Sequence, residues 1–124
     1  MMEKYRARLR SAQRVVIKIG TQVLFDQSGR VDQEVFNQIA DASARLVQHG
    51  KQVVIVSSGA IASGRAVLGK EGSLTMPMKQ AVASLGQPIL MRNYERAFSP
   101  HKILVGQVLL THEDFSLRPR YLHS

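Results

Sequence analysis

The chain has 124 residues, 44% of them hydrophobic, which is enough for one domain with a core of its own. It contains no cysteine, so a disulfide framework and a thiolate metal site are excluded, and no apolar run approaches the ~18 residues of a membrane span. The formal net charge of +8, with 6% aromatics and no tryptophan, suits a phosphorylated substrate or a piece of a larger protein with its acidic regions elsewhere better than a base-stacking surface.

Residues 3–13 read as a short basic helix with Tyr5 and Leu9 on one side. No apolar segment follows Arg10, so a secretory leader is not indicated, and a cytoplasmic location fits best. Val15-Val16-Ile17-Lys18-Ile19 is a β-branched run expected to form a strand buried on both faces. Val23-Leu24-Phe25 continues as extended chain into a turn at Asp26-Gln27-Ser28-Gly29. Asp32 is a plausible N-cap for a helix ending near Gly50, with Val35, Phe36, Ile39, Leu46 and Val47 at helical spacing. Residues 52–56 form the second strand, also expected to be buried on both faces, and a helix rich in small residues starts directly after it at Gly59. Residues 69–75 are loop. Pro77 opens a third helix to about Leu85, and Gly86-Gln87-Pro88 breaks it. A fourth helix presents Leu90, Met91, Tyr94 and Phe98 inward. After a turn at Ser99-Pro100-His101, residues 103–110 form a third strand. Thr111-His112-Glu113-Asp114 has capping-box spacing for a last helix. The order βαβααβ is the opening of a three-layer α/β/α sandwich with a mainly parallel sheet.

Two loops carry chemistry. Lys18 stands in an otherwise apolar strand beside Gly20-Thr21. It is either a lysine that snorkels out of the sheet or a cation that a bound phosphate neutralises. Ser57-Ser58-Gly59-Ala60 turns from strand to helix, the composition of an anion site made of N–H groups and hydroxyls; a serine that only caps its own helix is the plainer alternative. Two such loops at adjacent strand ends favour a ligand crevice. Gly64-Arg65-Ala66-Val67-Leu68-Gly69-Lys70 imitates a P-loop, but Glu71 stands where Ser or Thr must hold magnesium, and the segment follows a helix. Lys79, Gln80, Arg118 and Arg120 read as surface. The four histidines have no metal-ligand spacing, and no metal site is expected.

Taken together, these residues resemble the N-terminal part of the glutamate 5-kinases, within the amino acid kinase family. The resemblance rests on residues 15–21, 56–65, 79–87 and 105–111, and on Arg118 to Tyr121-Leu122. It implies the α/β/α fold of that family, incomplete here, and transfer of the γ-phosphoryl of ATP, with Mg²⁺, to the side-chain carboxylate of L-glutamate. It further implies a place at the start of proline biosynthesis, proline as a feedback inhibitor, and a homo-oligomer at full length. Carried over, Lys18 is the catalytic residue and contacts the ATP phosphates, Gly20 and Thr21 line the phosphate loop, and Ser58 binds glutamate with the help of Ser57, Gly59 and Ala60. Ser84-Leu85 replaces the family's usual Ala-Val, and Pro88 is a further departure.

On this reading residues 1–13 are a basic N-terminal helix and 14–124 the N-terminal part of the kinase domain. The nucleotide-binding half and any RNA-modification-type domain belong beyond Ser124, so the chain is expected to be truncated and inactive alone. An alternative is a non-catalytic subunit that binds glutamate or proline or completes a partner chain. Nucleic-acid binding through the basic N-terminus is a third and weaker reading.

Overall fold

The structure, a computed structural model, describes residues 1–116. The chain runs through α1 (Met2–Ser11), β1 (Arg14–Ile19), α2 (Thr21–Leu24), α3 (Gln33–Gln48), β2 (Gln52–Ser57), α4 (Ala60–Leu68) and α5 (Met76–Phe98). A 3-10 turn at Ser99–His101 and α6 (His112–Ser116) follow. β1 and β2 pair in parallel with Arg14 opposite Gln52 and Ile19 opposite Ser57. A parallel pair needs a long crossover, and α3 supplies it. Asp32 caps α3, its carboxylate accepting from the Val35 N–H at 3.4 Å.

The core is a single cluster of Ile19, Leu24, Phe36, Ala40, Leu90, Tyr94, Ala97 and Phe98. The Phe36 and Tyr94 rings meet edge-on, with centroids 4.8 Å apart, an arrangement favoured by the aromatic quadrupole. Within α3 the buried positions are Phe36, Ala40, Ser43 and Ala44, a stripe with i+4 and i+7 spacing; Val47 is exposed. Small residues on that stripe bring α3 close to its neighbours.

Four expectations need correction. First, the strands are not buried on both faces. Val15, Ile17 and Ile19 face the helices, whereas Arg14, Val16 and Lys18 are exposed. β2 alternates in the same way, and Val16, Val54 and Val56 are 61%, 45% and 50% exposed. Among the described residues only one helical layer covers the sheet, so β-branched density encodes strand, but not a cover for each face.

Second, residues 103–110 join no ladder among the described residues. Ile103 and Val105 pack against the core while Leu104 is 97% exposed. The period of two of an extended chain is present; the hydrogen-bonded neighbour is not, and apolar alternation cannot supply one.

Third, Gly86-Gln87-Pro88 does not break a helix. α5 is continuous from Met76 to Phe98 with Pro88 inside it. Gly86 serves a helix crossing instead: a Cβ there would collide with the Ala60 carbonyl oxygen, and one at Gly64 with the Val82 carbonyl. The two glycines let α4 lie directly on α5.

Fourth, residues 21–24 close a helical turn before the chain straightens. Phe25 then bridges Val31 across the predicted turn.

The basic N-terminal helix forms, yet none of its side chains is buried. Its end is held by Lys51, whose ammonium donates to the carbonyls of Arg10 at 2.8 Å and Ala12 at 2.6 Å. In α6 the Asp114 carboxylate accepts from the Thr111 N–H at 2.7 Å and the Thr111 hydroxyl at 2.9 Å, so the capping-box spacing is put to use.

Candidate functional site

The two expected loops lie side by side. β1 and β2 end in register, and the ladder extends one step further, the Ser58 N–H donating to the Ile19 carbonyl at 2.9 Å. Each strand passes through a glycine into a helix: Gly20 starts α2 and Gly59 starts α4. Gly59 holds φ +117°, and a Cβ there would press on Phe25, Leu24 and Leu90 at 3.3–3.4 Å. Only glycine satisfies both restrictions, so the turn that starts α4 is anchored to the core.

The serine-cap alternative is not what the chain builds. No side chain caps α4. The Ser57 hydroxyl turns inward, donating to the Ser58 carbonyl at 2.8 Å and sharing a 2.7 Å hydrogen bond with the Tyr94 hydroxyl. Burial pushes the Tyr94 phenol above its ordinary pKa, and the Ser57 bond offsets part of that rise; the phenol stays neutral at physiological pH. With its first-turn N–H groups uncapped, α4 presents the positive end of its dipole at the strand tips.

That end opens on a hollow of about 600 Å³ lined by Thr21, residues 57–62, Arg65 and Ala83. Of the predicted site residues, Thr21, Ser57, Ser58, Gly59 and Ala60 share it. Gly20 adjoins it as the start of α2. Lys18 does not line it; it stands on the exposed face of β1 opposite Val56. Strand alternation carried one residue past β2 puts Ser58 on the same side as Lys18, and both residues are exposed.

A second hollow, about 740 Å³, lies between the 26–30 turn and the 69–72 loop, and shares Thr21, Ala62 and Arg65 with the first. The Asp26 carboxylate organises its wall, accepting from the Ser28 hydroxyl at 2.6 Å and from the Ser28 and Arg30 N–H groups, each at 2.9 Å. The Ser28 hydroxyl first, then the Arg30 N–H, hold its pKa below the usual carboxylate value.

Residues 13–124 match the amino acid kinase family. The chain belongs to that family. It is 50% identical over 116 residues to the glutamate 5-kinase of Pelobacter propionicus, covering 93% of this chain and 31% of that protein. It is also 50% identical over 115 residues to a glutamate 5-kinase of Thermus thermophilus (92% and 31% covered), and 42% identical over 120 residues to that of Trichlorobacter lovleyi (96% and 32%). The chain thus spans about a third of the length of the curated relatives it matches.

The P-loop imitation fails structurally as well as chemically, because residues 64–68 are helical and Gly69 ends α4. Lys79 and Gln80 are exposed on α5. Arg118 and Arg120 lie outside the described residues. Among the described residues no group of three or more His, Asp or Glu could hold a metal, and no helix is long and apolar enough to cross a membrane.

Arg65 joins the site although the sequence singled it out only within the P-loop imitation and the 56–65 block, with no binding role. It is half-buried and donates from Nη1 to the Gly72 carbonyl at 2.7 Å. Its spacing of four from Ile61, in the first turn of α4, is the signal that could have found it, since i and i+4 share a helix face.

Proposed function

We propose that the paired loops are the acceptor and phosphate-facing part of a glutamate 5-kinase, which phosphorylates the side-chain carboxylate of L-glutamate with ATP to give glutamyl 5-phosphate. The supporting observation is the adjacency of two strand-to-helix turns, tied by the Ser58–Ile19 bond, beside an uncapped helix start. Similarity to glutamate 5-kinases over more than nine-tenths of the chain supports the choice of reaction.

The acceptor carboxylate, with an ordinary pKa of about 4.3, is ionised at neutral pH and needs no general base. The barrier is the approach of two anions, which fixed cations and N–H donors lower. Ser58 and the 58–60 backbone hold the glutamate carboxylate at the α4 start. Lys18 meets the nucleotide phosphates from the open face of the sheet, and Gly20 and Thr21 give them close backbone approach. Mg²⁺, bound with the nucleotide, supplies charge neutralisation on the phosphates.

Separate titrations of the chain with L-glutamate and ATP test this. Ser58→Ala is expected to weaken glutamate about tenfold or more and leave ATP unchanged, and Lys18→Met to do the reverse, on the scale of one charge-assisted hydrogen bond. Glutamate affinity unmoved by Ser58→Ala would remove the assignment.

The exposed valines of the sheet face favour a second reading, a subunit that completes a partner chain. A partner segment that protects the amides of β1 and β2 from hydrogen exchange would support it.

A further inference from the structure

Arg65 is a half-buried cation. Among the described residues no carboxylate pairs with it. Among the described residues its side chain makes one hydrogen bond, to Gly72, which uses one of five N–H donors. A guanidinium withdrawn from water and left without a counter-charge is costly, and a ligand anion would relieve that cost.

Its position suits one kind of anion. Arg65 lies at the seam of the two hollows, sharing both with Thr21 and Ala62. It is five residues along α4 from Ala60, about 7.5 Å of helix rise. Arg65 lines the hollow that residues 57–60 also line, while its Nη1 holds the Gly72 carbonyl. The start of α4 and Arg65 are thus two anion-favouring groups on one hollow, which suits a ligand with two carboxylates.

We propose that Arg65 is a substrate-binding residue that pairs with the α-carboxylate of an acidic amino acid whose side-chain carboxylate sits at the start of α4. This rests on the glutamate reading of the hollow and adds the group that distinguishes the two ends of the substrate. Arg65 can donate to the ligand while Nη1 holds Gly72, so occupancy would also brace the 69–72 loop.

The test compares L-glutamate with L-isoglutamine, which keeps the side-chain carboxylate but has an α-amide. Both are titrated into the full chain and into Arg65→Met and Arg65→Lys. The unaltered chain should prefer L-glutamate at least tenfold. Arg65→Met should abolish that preference by weakening glutamate alone, and Arg65→Lys should keep part of it. Equal loss of both ligands in Arg65→Met would make Arg65 only a brace for the loop and overturn the proposal. Should Arg65→Met fail to fold, the ratio in the unaltered chain and in Arg65→Lys decides. Equal affinity for the two ligands in the unaltered chain overturns the role of Arg65 and leaves the glutamate site standing. Binding of neither ligand overturns the glutamate reading itself, and this assignment with it.

Discussion

The Ser57 hydroxyl is spent on the fold. It bonds Tyr94, whose ring stacks edge-on against Phe36 in the middle of the core. Tyr94→Phe keeps the ring and removes the partner, so it is expected to cost about 1 kcal/mol, read as a lower urea midpoint with an unchanged slope. Asp26 is a surface residue with a sharper pH signature. Its folded pKa lies below the unfolded value, so its contribution is present above about pH 4 and is lost as pH falls through the folded pKa. The amide signals of Ser28 and Arg30 should move together in that acid window, and Asp26→Asn should abolish the transition. At this scale the Asp26-Gln27-Ser28-Gly29 turn was legible in the sequence, because its carboxylate bonds groups within four residues; the inward turn of the Ser57 hydroxyl was not, because Tyr94 lies far along the chain. Arg65 was not, because its value depends on Thr21 and Gly72, which only the fold brings near.

Helix α5 shows how one residue type serves two purposes. Gly86 beside Pro88 has the composition of a break, yet Gly86 is there for the crossing with α4. Gly86→Ala should destabilise by about 1–3 kcal/mol or more, the usual range for overpacking, because its Cβ would meet backbone at Ala60 that cannot swing aside. Pro88 is exposed and inside the helix, so it lacks the N–H that would bond the Ser84 carbonyl. Pro88→Ala restores the donor and should stabilise by about 1 kcal/mol, below the ~3 kcal/mol penalty of an interior proline because the native helix has already adjusted to it. A lower thermal midpoint for Pro88→Ala would contradict this account. The strands were legible from their β-branched density, and α3 from its apolar period and the Asp32 cap. The extended 103–110 segment was half legible: its alternation is local, while its partner is not.

Over the whole molecule, the described residues place all their helical cover on one side of a two-stranded sheet. The bare side carries Val16, Val54 and Val56 in adjacent rows, a surface that favours association. The chain is expected to self-associate with rising concentration in light scattering, and Val16→Thr with Val54→Thr should shift it toward monomer. A monomer at every concentration would count against the patch as a contact surface. This face was not legible, since a β-branched strand reads alike whether one side or both is covered. The attachment of α1 has a consequence of another kind. The Lys51 ammonium spans two carbonyls at once, and an acylated lysine has a single N–H to offer. Acylation of that amine would therefore free at least one of the two carbonyls, and with no buried side chain to hold it the leading helix would swing loose from the body it now rides on.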